Sequence, residues 1–404
     1  MRVLVLHCVR YESILYHLAI DHQNNDVVYI GLPDKLADIP SNLRCEKVSI
    51  TGEKALYEEV ESWLTDHPQK FDKLISVSEF ELLTAAKLRE RFGINGANYA
   101  QTEKVRNKVI MKQCVQNAGI RTPRFAHLTH WFKDQTVFPV AGKVVIKPLD
   151  GASSKYVTIF ATAESAFDTL TQRTTGVPQL DAGQYDNFEI EEYCSGPILH
   201  IDGIVSNDKI LIIIASRYIN SLLDFANGTP SGSVQFETDK VFENWVSTIL
   251  AATEIHNGAF HLEAIETDNG NVFLEIAHRV GGARISDTFE LKTGIHPSVA
   301  EIKAHLDNDI QLNIKWDMDY LYGWFIFPGH HLAADKYQIS GHEYLHDHPN
   351  VLHLNQLPLE QYLLKTVTYN EKRLPLAGII RGQTTQELTN MLNEMYSRVK
   401  ITSA

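Results

Sequence analysis

The segment from residue 260 to residue 286 constrains the fold most, because it predicts a β-hairpin with a carboxylate on each strand. Two runs of alternating or apolar residues flank the tetrapeptide Asp-Asn-Gly-Asn at 268–271. An Asn-Gly turn between such runs is the strongest short-range hairpin signal. If the hairpin forms, Glu263 and Glu275 can lie side by side.

Two neighbouring carboxylates repel each other unless a cation joins them, and hard oxygen ligands of this kind suit Mg²⁺. Arg279 and the pair Gly281-Gly282 follow directly in the sequence. A cation, an arginine and a flexible glycine pair together predict a site for phosphate charge. The hairpin alone leaves open the alternative that both glutamates are solvated surface residues.

Length and charge set the broad class. The chain has 404 residues, 44% of them hydrophobic, which is enough for two or three domains with proper cores. A formal net charge of −13 argues against a nucleic-acid-binding face. No apolar stretch approaches the ~18 residues of a membrane span, and the apolar N-terminal run is too short for a signal peptide. The four scattered cysteines lack a CxxC spacing, so we expect reduced thiols and a cytoplasmic protein.

Strand and helix patterns alternate in the first hundred residues, which favours a parallel α/β sheet. The patterns predict strands at 3–6, 27–31 and 73–77 and helices at 12–22, 56–64 and 79–92. A GxGxxG fingerprint is missing after the first strand, which argues against a dinucleotide site there.

A linker at 97–106 and a helix at 107–117 come next, and strands then dominate as far as residue 307. The last segment mixes strands with a closing helix. The predicted elements there are strands at 322–327, 362–369 and 376–381 and a helix at 385–399.

A lysine and a loop of small residues form a second motif. The run VVIKP at 144–148 predicts a buried strand that delivers Lys147, and the loop at 149–155 carries Ser153 and Ser154. Small residues let backbone N–H groups approach an anion. A strand rather than a helix follows, so this is not a P-loop but a hairpin whose tip could close over a nucleotide. A plain surface hairpin is the alternative.

An acidic turn follows at 189–197, where Glu191 lies beside exposed backbone groups. Carboxylate and carbonyl oxygens can accept the amino group of adenine. Taken alone, the segment is equally typical of a charged turn at a sheet edge.

The order of these motifs resembles the ATP-grasp superfamily over about residues 1 to 310. The segments NKVIMK at 107–112 and AGIRTP at 118–123 resemble the opening pattern of that family. The segment VIKPLDGASS resembles its phosphate-loop strand, and LEAIETDNGNVFLEIAHRVGG resembles its metal-binding signature.

The resemblance implies an α/β (α+β) protein with an N-terminal parallel α/β domain at 1–98 and an ATP-grasp domain at 107–307. A C-terminal α+β subdomain would occupy 308–404. It also implies that Lys108 and Lys147 contact ATP phosphates, while the loop residues Ser153 and Ser154 cover them.

For the remaining site residues, the resemblance implies that Glu191 faces the adenine amino group. Backbone groups of Glu192 and Cys194 would complete that edge. Glu263 and Glu275 would bind Mg²⁺, or Mn²⁺ as a substitute.

Arg279 and Lys147 would be the catalytic residues, because they would stabilise the transferring phosphoryl group or an acyl phosphate. Arg284, just after the glycines, is a candidate for binding an amino-acid carboxylate. A structural surface role for Arg284 is the alternative.

Two positions depart from the family pattern. Ala277 stands where an asparagine is common, which puts a second fully ligated metal ion in doubt. Ile198 stands where a ribose-binding glutamate is common, which leaves ribose recognition unassigned, with His200 and Asp202 as candidates.

The resemblance, closest to the L-amino acid ligase and carnosine-synthase-like subgroup, implies an ATP-dependent carboxylate–amine ligase. Its expected partners are small-molecule acids and amines of the amino-acid class, with neither nucleic acid nor membrane, and a homodimer is a further expectation. The alternatives are another ATP-grasp ligase, of the carboxylase, purine-pathway or specialised-metabolite type, and a non-enzymatic nucleotide-binding or scaffold protein.

A rival motif occurs at 342–346, where HEYLH matches the HExxH signature of zinc peptidases. That signature requires both histidines on one continuous helix. Gly341 and Pro349 flank the segment closely, so a long helix is not expected, although Glu360 could supply a third ligand. A surface or interface segment is the favoured interpretation.

Overall fold

A computed structural model of the protein describes residues 1–152 and 154–404. The described chain forms four sheets, and a cavity lies between the small antiparallel sheet and the large one. The predicted α/β class is confirmed, with a parallel sheet first and antiparallel sheets after it.

The N-terminal sheet is parallel, with strand order β3-β2-β1-β4. Its strands are β1 (Arg2–Leu6), β2 (Asp26–Gly31), β3 (Glu46–Ser49) and β4 (Lys73–Ile75). The helices of this region are α1 (Tyr11–Ile14), α2 (Pro33–Leu36), α3 (Leu56–Asp66), α4 (Leu82–Phe92) and α5 (Tyr99–Glu103).

The helix predicted at 12–22 is wrong. α1 ends after one turn because Leu15 has a positive φ of 59°, and a 3-10 turn at Tyr16–Leu18 follows. Tyr11, Ile14 and Tyr16 still turn inward and are buried, so the apolar spacing was real although the helix is interrupted.

A small antiparallel sheet follows, with strand order β5-β8-β6-β7. Its strands are β5 (Phe125–His127), β6 (Val144–Pro148), β7 (Thr158–Phe160) and β8 (Phe188–Glu192). The helices around it are α6 (Lys108–Asn117), α7 (Leu128–Lys133), α8 (Ala163–Gln172) and α9 (Pro178–Asp181). β6 pairs with β7, so the hairpin predicted around the loop at 149–155 is confirmed.

The large sheet has eight strands in the order β13-β12-β9-β10-β11-β14-β17-β16. The strands are β9 (Ile198–Ser206), β10 (Lys209–Ile219), β11 (Ser231–Phe236), β12 (Gly258–Thr267), β13 (Gly270–Ala277), β14 (Leu321–Phe327), β16 (Val351–Gln356) and β17 (Leu376–Gly382). β15 (Tyr337–Ser340) pairs separately with β18 (Lys400–Ser403). The helices are α10 (Leu222–Ala226), α11 (Lys240–Ala252), α12 (Ile285–Thr293), α13 (Pro297–Leu306) and α14 (Thr385–Arg398).

This sheet runs across the predicted boundary at residue 307, because β11 pairs with β14. The division into domains remains a prediction, but the C-terminal strands extend the same sheet that carries the hairpin. The strand predicted at 362–369 is wrong, since that segment is largely exposed and forms no regular element. No helix formed by the described residues has the length and apolar character needed to span a membrane.

Helix α13 joins the N-terminal sheet to the large sheet. Its Ile302 packs into the core of the N-terminal region, while Ala300 and Ala304 pack against the large sheet. Glu301 lies between Ala300 and Ile302 in the sequence and is 1% exposed. Its Oε1 atom has no hydrogen-bond partner among the described residues. Burial raises the pKa of the Glu301 carboxyl well above its ordinary value, although the Arg279 guanidinium acts in the opposite direction.

We expect Glu301→Gln to have a higher free energy of unfolding than the wild type, by a margin that grows as pH rises from about 4.5 to 7. In the unfolded chain the carboxyl ionises near its reference pKa of about 4.3, whereas the folded protein holds its proton to higher pH. Between these pKa values folding takes up a proton, so the free energy of unfolding of the wild type falls by up to about 1.4 kcal/mol per pH unit. Urea unfolding of both proteins across this range measures the difference, and a pH-independent difference would contradict the prediction.

Candidate active site

A cavity of about 680 Å³ lies between the small sheet and one face of the large sheet. It is lined by most of the site residues predicted from the sequence: Lys108, Lys147, Ser154, Glu191, Glu192, Cys194, Glu263, Glu275 and Arg279. Segments far apart in the chain therefore converge on one concave space, as expected of a small-molecule site.

Two predicted residues need separate comment. Ser153 lies outside the described residues. Arg284 does not line the cavity, because its guanidinium pairs with Glu371 at 2.8 Å and with Asp287 at 3.2 Å. A role for Arg284 in binding substrate stays a prediction that this geometry does not support.

The two hairpin glutamates are direct cross-strand neighbours. Glu263 on β12 lies opposite Glu275 on β13, and the turn closes between Thr267 and Gly270. Directly paired residues project from the same face of a sheet, so both carboxylates point to the cavity. The predicted hairpin and the predicted pairing are both confirmed.

The chemistry of this pair fits a divalent cation. Burial raises the pKa of Glu275, but Lys108 and Lys147 outweigh burial and lower the pKa to about 2. Glu275 is therefore ionised, with Lys108 Nζ only 3.3 Å from its Oε2 atom. Two adjacent carboxylates that face a cavity are the oxygen ligands that Mg²⁺ prefers. Ala277, which also lines the cavity, adds no side-chain ligand.

Lys112, Lys147, Glu189 and Glu191 form a buried charge cluster next to the loop at 149–155, which we call the phosphate loop after its predicted role. Lys112 Nζ lies 2.6 Å from Glu189 and also contacts Glu191, and Lys147 Nζ lies 2.7 Å from the other oxygen of Glu191. Burial lowers the pKa of Lys147, but Glu191 and Glu189 outweigh it and the pKa is raised. Lys147 therefore enters the cavity as a fixed positive charge.

The same charge cluster contains Glu191, which was predicted to contact the amino group of adenine. Burial raises the pKa of Glu191, but the two lysines outweigh it and its pKa is lowered. Both of its oxygens are engaged by lysines, so its contact with adenine stays a prediction. The sequence analysis missed Lys112 and Glu189. The i,i+4 spacing of Lys108 and Lys112, and the alternation along β8, were the available signals.

We expect Lys112→Met to destabilise the fold by about 3 to 5 kcal/mol, because it leaves buried carboxylates without their cation. Adding Glu189→Gln should recover part of the loss, since it removes one of the orphaned charges. Lys104→Met is the matched control, because the Lys104–Glu254 pair is partly exposed and is worth less than about 1 kcal/mol. Urea unfolding measures all three, and equal costs for the two lysines would contradict the prediction.

Arg279 is held by a carboxylate from the N-terminal region. Glu79, which follows β4, accepts from Arg279 Nε at 2.5 Å and also pairs with Arg106. Arg106 in turn donates to the backbone carbonyl of Asp150 in the phosphate loop, at 2.6 Å. The sequence analysis missed Glu79, whose only signal was its place just beyond the carboxyl end of a parallel strand. A bound anion would compete with Glu79 for Arg279.

A histidine–aspartate group supports Glu263 from beneath. Asp202 accepts from His200 at 2.6 Å and from His261 at 2.8 Å, and His261 Nε2 lies 3.6 Å from Glu263. Burial lowers the pKa of His261, but Asp202 and Glu263 outweigh it and raise the pKa to about 10. Gly281 approaches Asp202 so closely that a Cβ at this position would lie 2.5 Å from an Asp202 oxygen.

The ligand atoms of His200, Asp202 and His261 lie within 4.8 Å of one another, as in a metal site. Both histidines hydrogen-bond to Asp202, and His261 also approaches Glu263, so we interpret the group as a hydrogen-bonded network that orients Glu263. Neither His200 nor Asp202 lines the cavity, and the structure does not support either as a ribose ligand.

The HEYLH segment forms no zinc-peptidase helix. Only a 3-10 turn occurs, at Glu343–Leu345, and His342 and His346 lie on either side of it. The favoured interpretation of this segment, structural rather than catalytic, agrees with the fold.

The site can now be compared with known proteins. Residues 140–287 match the family model of the ATP-grasp domain. The "L-arginine-specific L-amino acid ligase" of Bacillus subtilis is 26% identical over 268 residues, which are 64% of this chain and 63% of that relative. The match thus spans less than two thirds of the relative's length.

Solved structures share the whole architecture. An L-amino acid ligase from Bacillus licheniformis superposes with a TM-score of 0.71 and 16% identity, over 100% of this chain and 98% of that one. The biotin carboxylase domain of the Hydrogenobacter thermophilus 2-oxoglutarate carboxylase, solved as a dimer with MgADP, ADP and bicarbonate, gives a TM-score of 0.61. Its identity is 14%, over 99% of this chain and 90% of that one. This chain therefore contains an ATP-grasp domain and has the ATP-grasp fold.

Proposed function

We propose that this protein is an ATP-dependent carboxylate–amine ligase that joins amino acids and releases ADP and phosphate. The observation that carries the proposal is the placement of Glu263 and Glu275 opposite Lys108 and Lys147 in one cavity. The similarity to an L-amino acid ligase favours this chemistry over the other reactions that the fold supports.

The first step makes the acid reactive. A carboxylate resists nucleophilic attack because it is charged and resonance-stabilised, and transfer of the γ-phosphoryl group converts it into an acyl phosphate with a good leaving group. Phosphoryl transfer depends mainly on positioning and on neutralising charge. Lys108, Lys147 and Arg279, which all line the cavity, supply that charge. When bound to Glu263 and Glu275, Mg²⁺ adds charge neutralisation at the phosphates.

In the second step the uncharged amine attacks the acyl carbon, a C–N bond forms and the C–O bond to phosphate breaks. The released phosphate takes up the proton that the amine loses. Arg279 stabilises the departing phosphate, for which it exchanges its contact with Glu79. The phosphate loop would exclude water and so protect the acyl phosphate from hydrolysis. Carbonyls of that loop are already held by Arg106 and Lys108.

The second candidate is a carboxylase, favoured by the structural similarity to a biotin carboxylase domain solved with bicarbonate. A phosphate-release screen separates the two. Phosphate that appears only with two amino acids supports the peptide ligase, whereas dependence on bicarbonate supports the carboxylase. AMP and pyrophosphate would contradict an acyl-phosphate route. The use of Mn²⁺, a homodimer and a cytoplasmic location stay predictions.

We expect Glu275→Gln to lower kcat for ADP release at least about 100-fold, because losing one electrostatic donor costs roughly 3 kcal/mol in the barrier. The fold should survive, since the amide is isosteric. Glu290→Gln, on the exposed side of α12, is the charge-matched control. Normal turnover by a correctly folded Glu275→Gln protein would remove Glu275 from the site.

We expect a non-hydrolysable ATP analogue with Mg²⁺ to stabilise the protein by about 2.7 kcal/mol when its concentration is 100 times Kd. Most of that gain should disappear with EDTA, because the phosphates would then meet Glu263 and Glu275 without a cation between them. Thermal unfolding with and without EDTA measures the effect. If the nucleotide analogue raises the unfolding temperature equally with and without EDTA, these glutamates do not hold the metal.

A further inference from the structure

Each of the two hairpin carboxylates has one oxygen held by a neighbouring side chain and one oxygen that no described side chain holds. The Tyr218 hydroxyl donates to Glu263 Oε1 at 3.2 Å, and His261 Nε2 lies 3.6 Å from the same atom. At Glu275, Lys108 Nζ lies nearest to Oε2, at 3.3 Å. The hydrogen bonds of the described residues include none to Glu263 Oε2 or to Glu275 Oε1.

Both of these remaining oxygens are accessible. Glu263 and Glu275 line the cavity, with side chains that are 15% and 33% exposed. Buried polar atoms without a partner occur elsewhere in the described chain, but Glu263 Oε2 and Glu275 Oε1 are not among them. An ion that enters the cavity can therefore reach one oxygen on each carboxylate without breaking a hydrogen bond.

Sheet register explains why Tyr218 reaches Glu263 across an intervening strand. Glu263 on β12 lies opposite His200 on β9, and His200 lies opposite Ser216 on β10. Directly paired residues share a face, and so do residues two positions apart on one strand. Tyr218 follows Ser216 by two positions, so its side chain projects to the same side of the sheet as the Glu263 carboxylate.

Packing fixes the Tyr218 hydroxyl in this position. The residue is 6% exposed, and its ring centroid lies 4.7 Å from that of His200 and 6.2 Å from that of Trp324. Tyr218 also pairs with Ser233 on β11, which pairs with Trp324 on β14. The hydroxyl makes no other hydrogen bond within the described part of the chain, so its contacts indicate that its role is to hold Glu263.

The way a carboxylate is held decides how many of its oxygens a cation can use. A donor that occupies one oxygen takes up part of its lone-pair capacity and disfavours chelation of a cation by both oxygens. Mg²⁺ requires a nearly octahedral shell and is usually bound by one or two carboxylates together with phosphate oxygens and water. Ca²⁺ takes roughly six to eight oxygens and often uses both oxygens of one carboxylate.

We propose that Tyr218 is a positioning residue that restricts Glu263 to one metal-binding oxygen, and that the site selects Mg²⁺ over the larger Ca²⁺ for this reason. The proposal rests on the metal-binding role of Glu263 and Glu275 in the function proposed above. Ala277, two positions after Glu275, supplies no side-chain oxygen that could complete the larger shell.

The test measures nucleotide binding and needs no amino acid. A non-hydrolysable ATP analogue is titrated into the whole chain by calorimetry, once with enough Mg²⁺ to saturate the nucleotide and once with enough Ca²⁺. The ratio of the two Kd values, Ca²⁺ over Mg²⁺, measures the selectivity. We expect the ratio to exceed one in the wild type and to fall roughly fivefold in Tyr218→Phe, as for the loss of one hydrogen bond.

Tyr369→Phe is the matched control. Tyr369 also lines the cavity, but its phenol oxygen is buried and has no hydrogen-bond partner among the residues that the structure describes. The selectivity ratio of this variant should equal that of the wild type. A substitution that only loosens the fold would weaken both complexes equally and leave the ratio unchanged, so the ratio separates positioning of Glu263 from general stability.

An unchanged ratio in a folded Tyr218→Phe protein would overturn the proposal, as would an equal fall in Tyr369→Phe or a wild type without preference for Mg²⁺. If the analogue binds equally well with Mg²⁺, with Ca²⁺ and in EDTA, the two glutamates hold no metal and that part of the proposed function fails as well. ADP release with pairs of amino acids tests the ligase function separately, so its failure would leave a measured cation preference intact.

Discussion

The structure depends on compensating the negative charge that the large sheet presents to the cavity. Glu263 and Glu275 are brought together by strand pairing, and neither can turn away without breaking the hairpin register. In a low-dielectric setting their repulsion has to be offset. Lys108 and Lys147 offset part of it, and the open cavity leaves room for a cation to offset the rest.

The cations that face this pair are themselves held in place by further charges. Lys147 is fixed by Glu191, which shares Lys112 with Glu189, and Arg279 is fixed by Glu79. Each cation thus keeps its charge and position before any phosphate arrives. Such preorganisation is what electrostatic catalysis requires, because no energy is then spent on reorienting groups during the reaction. The exchange of Glu79 for phosphate at Arg279 would also link the N-terminal region to the chemistry.

The part of the chain that matches the ATP-grasp domain does not contain the whole cavity. Trp324 and Tyr369 come from beyond residue 287, and Glu79 comes from before residue 140. The matched segment supplies Lys147 and both hairpin glutamates, while the flanking regions supply Lys108 and further parts of the lining. A fold shared by ligases and carboxylases can therefore keep one reaction core and change its substrates at the borders.

Local patterns in the sequence determined the hairpin, the strand that delivers Lys147 and the parallel α/β start. Each of these depends on periodicity and turn residues within about 25 positions. They failed at 12–22, where a positive φ at Leu15 breaks the helix, and at 362–369, which forms neither a helix nor a strand.

Only the tertiary structure decided which distant charges meet. It tied Arg284 to Glu371 and away from the cavity, joined Arg279 to Glu79 across 200 positions, and set Trp324 in line with the glutamates. The physical reason is that hydrogen bonds within a hairpin are encoded by neighbours in the chain. The pairing of buried charges, by contrast, is fixed by the packing of whole sheets and helices against one another.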